Sequence, residues 1–86
     1  MKNGLIISSQ GHKAWYQNDK LHRTDGPAIE YAYGDKAWYQ NGKLHRTDGP
    51  AVEYSDGGKA WYLGGQRLTY SQLNSPSFME FTTLLK

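Results

Sequence analysis

Histidine, arginine and aspartate recur together in this chain, and these side chains can bind metals or transfer protons. Residues 22–25 read His-Arg-Thr-Asp, and residues 45–48 read the same. Metal ligation and acid–base catalysis require such groups to converge on one point, whereas repeated copies are displaced along the repeat. We therefore predict no metal, no cofactor and no enzyme activity. The simplest role for each histidine is structural, such as ordering the Asp-Gly-Pro turn that follows it.

Basic side chains offer a second chemistry, which is anion binding. They form two series, Lys13, Lys36 and Lys59, and then Lys20, Lys43 and Arg67. A basic stripe beside exposed rings can follow a phosphate backbone. Glu30 and Glu53, on neighbouring predicted strands, favour cross-strand Lys–Glu pairing instead. A net charge of +2 is also too small to indicate nucleic acid by itself, so nucleic-acid binding is the alternative and not the leading hypothesis.

Aromatic pairs are the third chemistry, because a Trp-Tyr pair occurs three times. A single-layer sheet cannot bury both of its faces, so we expect some of these rings to be exposed beside His-Arg. Tryptophan, tyrosine and arginine dominate the energetics of protein interfaces. The predicted protein-binding residues are Trp15, Tyr16, His22, Arg23, Trp38, Tyr39, His45, Arg46, Trp61 and Tyr62.

The elements that must position these side chains come from an internal repeat. Lys-Ala-Trp-Tyr begins at Lys13, Lys36 and Lys59, and residues 13–35 and 36–58 are identical at 18 of 23 positions. In the third unit we expect one extra residue in 63–68, which would place Thr69 and Tyr70 at the His-Arg positions. Such a repeat buries rings in rows from unit to unit.

Turn residues give each unit the form of a β-hairpin. Asn41-Gly42 is the strongest short signal for a type I′ turn, and Asn18-Asp19 is a weaker version of it. Pro50 marks a break before the second strand. The predicted fold is mainly β: an antiparallel meander of about six short strands from 23-residue hairpin repeats, with a short C-terminal α-helix as a cap.

The chain is predicted to be a single domain with three parts: a degenerate half-repeat over 1–12, hairpin repeats over 13–68 and a helical cap over 69–86. Ser75-Pro76 suits the start of the helix. A one-layer ribbon leaves an apolar face uncovered, so we expect a homodimer. The predicted oligomer contacts at helical spacing are Phe78, Phe81, Leu84 and Leu85.

Composition excludes several protein classes. The 86 residues include no cysteine, which excludes disulfides and Cys-ligated zinc. Only 37% of the residues are hydrophobic, so an ordinary core would be small. The three consecutive apolar residues 5–7 are too few for a signal peptide or a membrane span. We therefore expect a cytoplasmic protein with no membrane partner.

The unit over residues 38–57 resembles the MORN repeat, a 23-residue β-hairpin. The shared features are a Trp, an Asn-Gly-Lys turn, a His two residues later, an aromatic in the second strand and a closing Asp-Gly. The unit departs from the usual pattern where Leu-His-Arg-Thr-Asp-Gly-Pro-Ala replaces a Gly-rich middle. This variant is similar to repeats of small tailed-phage and bacterial proteins. The resemblance covers about residues 5–68 and implies a twisted sheet used for protein contacts and self-association.

Size and resemblance together give the leading functional hypothesis. We expect a non-enzymatic protein-binding module, encoded by a phage, that binds and inhibits a host protein. A defence system is the expected target, which would make the protein an anti-CRISPR-type inhibitor. The alternatives are a nucleic-acid-binding protein, an antitoxin-like protein and a self-assembling structural protein.

Overall fold

The computed structural model describes residues 1–69, which form antiparallel β-structure without a helix. The prediction of a mainly β antiparallel meander is confirmed. The predicted cap and its contacts Phe78, Phe81, Leu84 and Leu85 lie outside the described residues. The strands are β1 (Gly4–Ile7), β2 (Lys13–Gln17), β3 (Lys20–Leu21), β4 (Ile29–Glu30), β5 (Lys36–Ala37), β6 (Tyr39–Gln40), β7 (Lys43–Leu44), β8 (Val52–Glu53), β9 (Lys59–Ala60), β10 (Tyr62–Leu63) and β11 (Gln66–Arg67).

One main sheet and a strip of hairpins make up this architecture. The main sheet has the order β1-β2-β4-β5-β8-β9, and β3 also pairs with β2. The hairpins β6–β7 and β10–β11 are not part of the main sheet, and each forms a separate two-stranded sheet. Each hairpin is bonded to the previous one, because Gly42 N–H donates to Leu21 O and Gly65 N–H donates to Leu44 O, both at 2.8 Å. The repeat therefore stacks hairpin on hairpin.

The estimate of about six strands is wrong, because the chain bends within the second and third units. The predicted strand over residues 36–40 is two strands, β5 and β6, on either side of Trp38. Trp38 N–H donates to Ala51 O at 2.7 Å, whereas Trp38 O accepts from His45 N–H at 3.0 Å. The chain passes at Trp38 from the main sheet to the hairpin β6–β7. Trp15 makes the same two bonds, but there β1 pairs along β2 and the strand stays continuous.

The hairpin turns have the backbone conformation that their residues predict. Asn41 and Gly42 have φ of 52° and 82°, so both central positions are left-handed as a type I′ turn requires. Asn18 and Asp19, with φ of 52° and 66°, adopt the same turn without a glycine. Asn18 N–H donates to Asn3 Oδ1 at 2.9 Å, which helps hold this less favourable turn.

The third unit keeps the 23-residue spacing, so the expected extra residue is wrong. Leu68 N–H donates to Trp61 O at 2.9 Å, as His45 N–H donates to Trp38 O in the unit before. Leu68 therefore occupies the histidine position, and Thr69 follows it at the arginine position. The third unit continues the frame without the His-Arg pair.

Register in the main sheet separates charged and apolar rows. One row alternates in sign through Lys13, Glu30, Lys36, Glu53 and Lys59. The neighbouring row is apolar and contains Ala14, Ile29, Ala37, Val52 and Ala60. The register thus places lysine opposite glutamate, as the pairing interpretation expects. Among the described residues the buried apolar side chains are Ala28, Ala37, Ala51, Ala60 and Leu63, a core made mostly of alanine.

Candidate protein-interaction surface

Arg46 organises the loop that connects β7 to β8. Its Nε lies 2.9 Å from Asp48 Oδ1, and its Nη1 donates to Pro50 O at 3.0 Å and to Glu53 Oε2 at 2.9 Å. The guanidinium carbon also lies 3.8 Å from the centre of the Trp38 ring. One side chain thus joins a carboxylate before the proline, the proline carbonyl, the next strand and an indole.

Arg23 makes the same set of contacts one unit earlier. It bonds to Asp25, Pro27 O and Glu30 and lies 3.8 Å from the centre of the Trp15 ring. The hydrogen bond and the charge of Arg23 hold the pKa of Asp25 below its ordinary value. The ion pairs found within residues 1–69 all belong to the two arginines. Both guanidinium groups are therefore already engaged inside the protein.

The histidines hold the next hairpin and not the Asp-Gly-Pro turn. His22 Nδ1 accepts from Asn41 N–H at 3.0 Å, and His45 Nδ1 accepts from Gly64 N–H at 2.9 Å. The expected histidine contact to the Asp-Gly-Pro turn is therefore wrong, because the arginines make that contact. Burial lowers the pKa of His45. No group of three potential metal ligands converges anywhere in residues 1–69.

The two rings of each Trp-Tyr pair have different surroundings. Trp15 lies against Arg23, whereas Lys2 Nζ lies 5.0 Å from the centre of the Tyr16 ring. Strand β2 is continuous, so these neighbours point to opposite faces. The predicted binding residues therefore do not form one patch. Trp15, Trp38, Trp61, Tyr16, Tyr39 and Tyr62 are all half-buried.

A cluster of tyrosines brings two of the predicted residues together with two others. We call it the tyrosine row, and it consists of Tyr31, Tyr33, Tyr39 and Tyr62. The rings of Tyr31 and Tyr33 are stacked, with centres 5.2 Å apart and planes at 23°. His12 packs edge-on against both, at 5.4 and 5.8 Å. Tyr33 is the most exposed member, at 61%.

Electrostatic coupling connects the stacked pair to the rest of the tyrosine row. Burial raises the pKa of Tyr39, and the neighbouring phenols of Tyr31 and Tyr62 raise it further. Partial desolvation raises the pKa of Tyr33, as do the carboxylate of Asp35 and the phenol of Tyr31. The phenols of Tyr33 and Tyr39 therefore keep their protons at neutral pH and can both donate and accept hydrogen bonds.

Sequence reasoning assigned Tyr39 and Tyr62 to a contact surface but missed Tyr31 and Tyr33. The available signal was at Tyr33, which occupies a turn position where the next unit has Asp56. A large ring in a turn is not required by the hairpin itself. The stacking on Tyr31 could not be derived from spacing, because it depends on how the turn folds over the strand.

A cationic groove lies between successive hairpins. Its volume is about 380 Å³. It contains two lysines and no carboxylate, so it favours anions over cations. The groove is lined by Lys20, Gln40, Asn41, Lys43, His45 and Gly64.

Comparisons with known proteins give no match. No family model matches the chain, no curated protein matches it, and no solved structure matches it. Within residues 1–69 no helix has the length and apolarity needed to cross a membrane.

Proposed function

We propose that this chain is a non-enzymatic protein-binding module that uses the tyrosine row as its contact surface. The observation that supports this is the stacked pair of the half-buried Tyr31 and the exposed Tyr33, with the half-buried Tyr39 and Tyr62 near it. Tyrosine gives a large contact area at low entropic cost and keeps a hydroxyl for hydrogen bonding. A row of such rings on a rigid repeat is a suitable protein contact.

The tyrosine row is a better contact surface than the Trp-Arg side of the repeat. Arg23 and Arg46 already bond to carboxylates and cover their tryptophans. A partner that used these guanidinium groups would have to replace internal bonds, which offsets the gain. Tyr33, by contrast, is 61% exposed and can be covered by a partner without such losses.

The finer proposal concerns the partner. Small size and the resemblance to MORN-type repeats of phage proteins support a host protein as the target, with the chain acting in the cytoplasm as a phage-encoded inhibitor. The proposed target class is a defence system, which would make the chain an anti-CRISPR-type inhibitor. An antitoxin-like role would use the same surface with a bacterial toxin as the partner.

Substitution in the tyrosine row tests the proposal. Tagged full-length protein is used to recover partners from bacterial lysate, and the affinity of a recovered partner is then measured by calorimetry. Tyr33→Ala is expected to weaken binding about 5- to 30-fold, the range of an interface residue worth 1–2 kcal/mol. Tyr54→Ala is the matched control, because Tyr54 is also exposed, at 46%. Equal binding by both variants would show that the tyrosine row is not part of the interface.

Nucleic-acid binding is the second candidate, and the cationic groove is the observation that favours it. Lys20 and Lys43 line that groove. Fluorescence anisotropy with single-stranded DNA and RNA should then show binding that falls steeply with salt, and Lys43→Ala should weaken it. Lys59→Ala is the control, since Lys59 lies in the alternating charged row of the main sheet. Absence of binding at low salt excludes this candidate.

A further inference from the structure

Strand β1 is an apolar strand at the edge of the main sheet. Among residues 1–69 its only pairing partner is β2, and Leu5, Ile6 and Ile7 are 47%, 41% and 56% exposed. Exposed apolar edges normally recruit another strand, and proteins protect them with charges or by keeping them short. The opposite edge is protected in this way, since β9 has two residues and one is Lys59. The β1 edge is therefore apolar and unprotected, whereas the β9 edge is short and carries a charge.

The outward backbone groups of β1 can be identified from the bonds of β2. Trp15 N–H donates to Ala28 O and Trp15 O accepts from His22 N–H, so both groups of Trp15 point away from β1. Leu5 lies opposite Trp15, which makes this a non-hydrogen-bonded pair. The N–H and C=O groups of Leu5 consequently point outward. By the alternation of the strand, those of Ile7 do the same.

We propose that β1 pairs antiparallel with β1 of a second copy of this chain, centred on Ile6. In this register Leu5 lies opposite Ile7 of the second copy, and each pair exchanges two hydrogen bonds. All four outward groups of each copy are then satisfied. Ile6 faces its own counterpart across the two-fold axis, as an isologous interface requires.

Side-chain chemistry along β1 fits a second copy. Reading outward from Ile6, Gly4 falls opposite Ser8 of the second copy, and Lys2 falls opposite Gln10. Every large apolar residue of β1 thus meets another, and no like charges are opposed. Shifting the register by one residue would remove the match between outward backbone groups. Strand β1 is therefore complementary to itself. A partner of unrelated sequence would need the same match of apolar residues and of outward backbone groups.

A single cysteine tests the register directly, because the chain has none of its own. Opposed residues of a non-hydrogen-bonded pair have Cα atoms about 4.5 Å apart, within disulfide reach. Ile6→Cys in the full chain should form a disulfide-linked dimer with oxidised glutathione much faster than Tyr54→Cys. The control site is similarly exposed, at 46% against 41%. Equal rates for the two variants would overturn the proposal.

Solution mass provides the second measurement. Size-exclusion chromatography with light scattering should show a dimer, and Ile7→Lys should raise its dissociation constant at least tenfold. Tyr54→Lys is the control for adding a charge at an exposed ring and should leave the dimer intact. A monomer at every concentration, including one whose β1 is covered by a peptide of another protein, would overturn the proposal. So would a dimer that Ile7→Lys leaves unchanged, as expected if residues 78–85 supplied the contact.

Discussion

The hairpin tips and the arginine loops of each repeat are stabilised in different ways. We define the hairpin tips as residues 17–20, 40–43 and 63–66, and the arginine loops as residues 23–28 and 46–51. The tips have left-handed φ at both central residues. Each also has a backbone bond to a preceding segment, which is Lys2 for the first tip and the previous hairpin for the other two. The arginine loops instead depend on one guanidinium group with three acceptors and an indole.

The stability of a tip is shared among several backbone bonds, whereas the stability of an arginine loop depends on one side chain. At a tip, each backbone bond contributes about 0.5–1.5 kcal/mol, and losing one leaves the others in place. In an arginine loop, one substitution removes a donor that serves two carboxylates and a carbonyl at once. We therefore expect the loops to be far more sensitive to single substitutions than the tips.

Arg46→Ala should give the largest loss of stability. Arg46 is 21% exposed at its side chain, and its partners Asp48 and Glu53 are 75% and 37% exposed, so solvent screens part of the loss. We expect the free energy of unfolding to fall by about 2–3 kcal/mol, from lost charged hydrogen bonds and the contact with Trp38. Urea unfolding followed by tryptophan fluorescence measures it.

Lys36→Ala is the control for that measurement. Lys36 lies opposite two glutamates in the register, but the ion pairs within residues 1–69 are made by the arginines. We expect a change within about 0.5 kcal/mol, as for an exposed charge. Comparable losses in the two variants would show that the arginine loop is not the more sensitive region.

The sequence predicts the hairpin tips better than it predicts the arginine loops. The tips were predictable, because Asn-Gly turn chemistry is local and Asn41-Gly42 adopts the expected turn. The arginine loops were not, since the contacts of Arg46 with Glu53 and Trp38 depend on where two strands bring distant residues. The bend at Trp38 was missed for the same reason, and with it the number of strands. Of the tyrosine row, spacing identified Tyr39 and Tyr62 but not the turn residue Tyr33.

Gly49→Ala should give the second largest effect and tests how tightly the arginine loop is packed. A Cβ at Gly49 would lie 2.8 Å from Arg46 Cζ, whereas one at Gly26 would lie 3.1 Å from Arg23 Cζ. The guanidinium group cannot move away easily, because Trp38 and its acceptors hold it. We expect a loss of about 1–3 kcal/mol for Gly49→Ala and a smaller one for Gly26→Ala. The reverse order in thermal unfolding would contradict this account of the packing.

His45→Leu should have a smaller effect than either arginine-loop substitution, because it removes one acceptor at a hairpin tip. The Nδ1 of His45 accepts from Gly64 N–H, and Gly64 is exposed, so water can replace the lost partner. We expect a loss of about 0.5–1.5 kcal/mol at pH 8. Chemical unfolding of both proteins at that pH measures it. A loss as large as that of Arg46→Ala would contradict the distinction between tips and loops.

The pH dependence of stability gives the same histidine a second test. Burial lowers the pKa of His45 below its ordinary value of 6.5, so near that pH the unfolded chain binds more protons than the folded one. The stabilisation is complete above pH 6.5 and declines as the pH falls through the lowered pKa of the folded protein. Wild type should lose stability below pH 6.5, and His45→Leu should lose less over the same range. Identical slopes would assign the titration to another group, and the contribution of this tip would then be independent of pH.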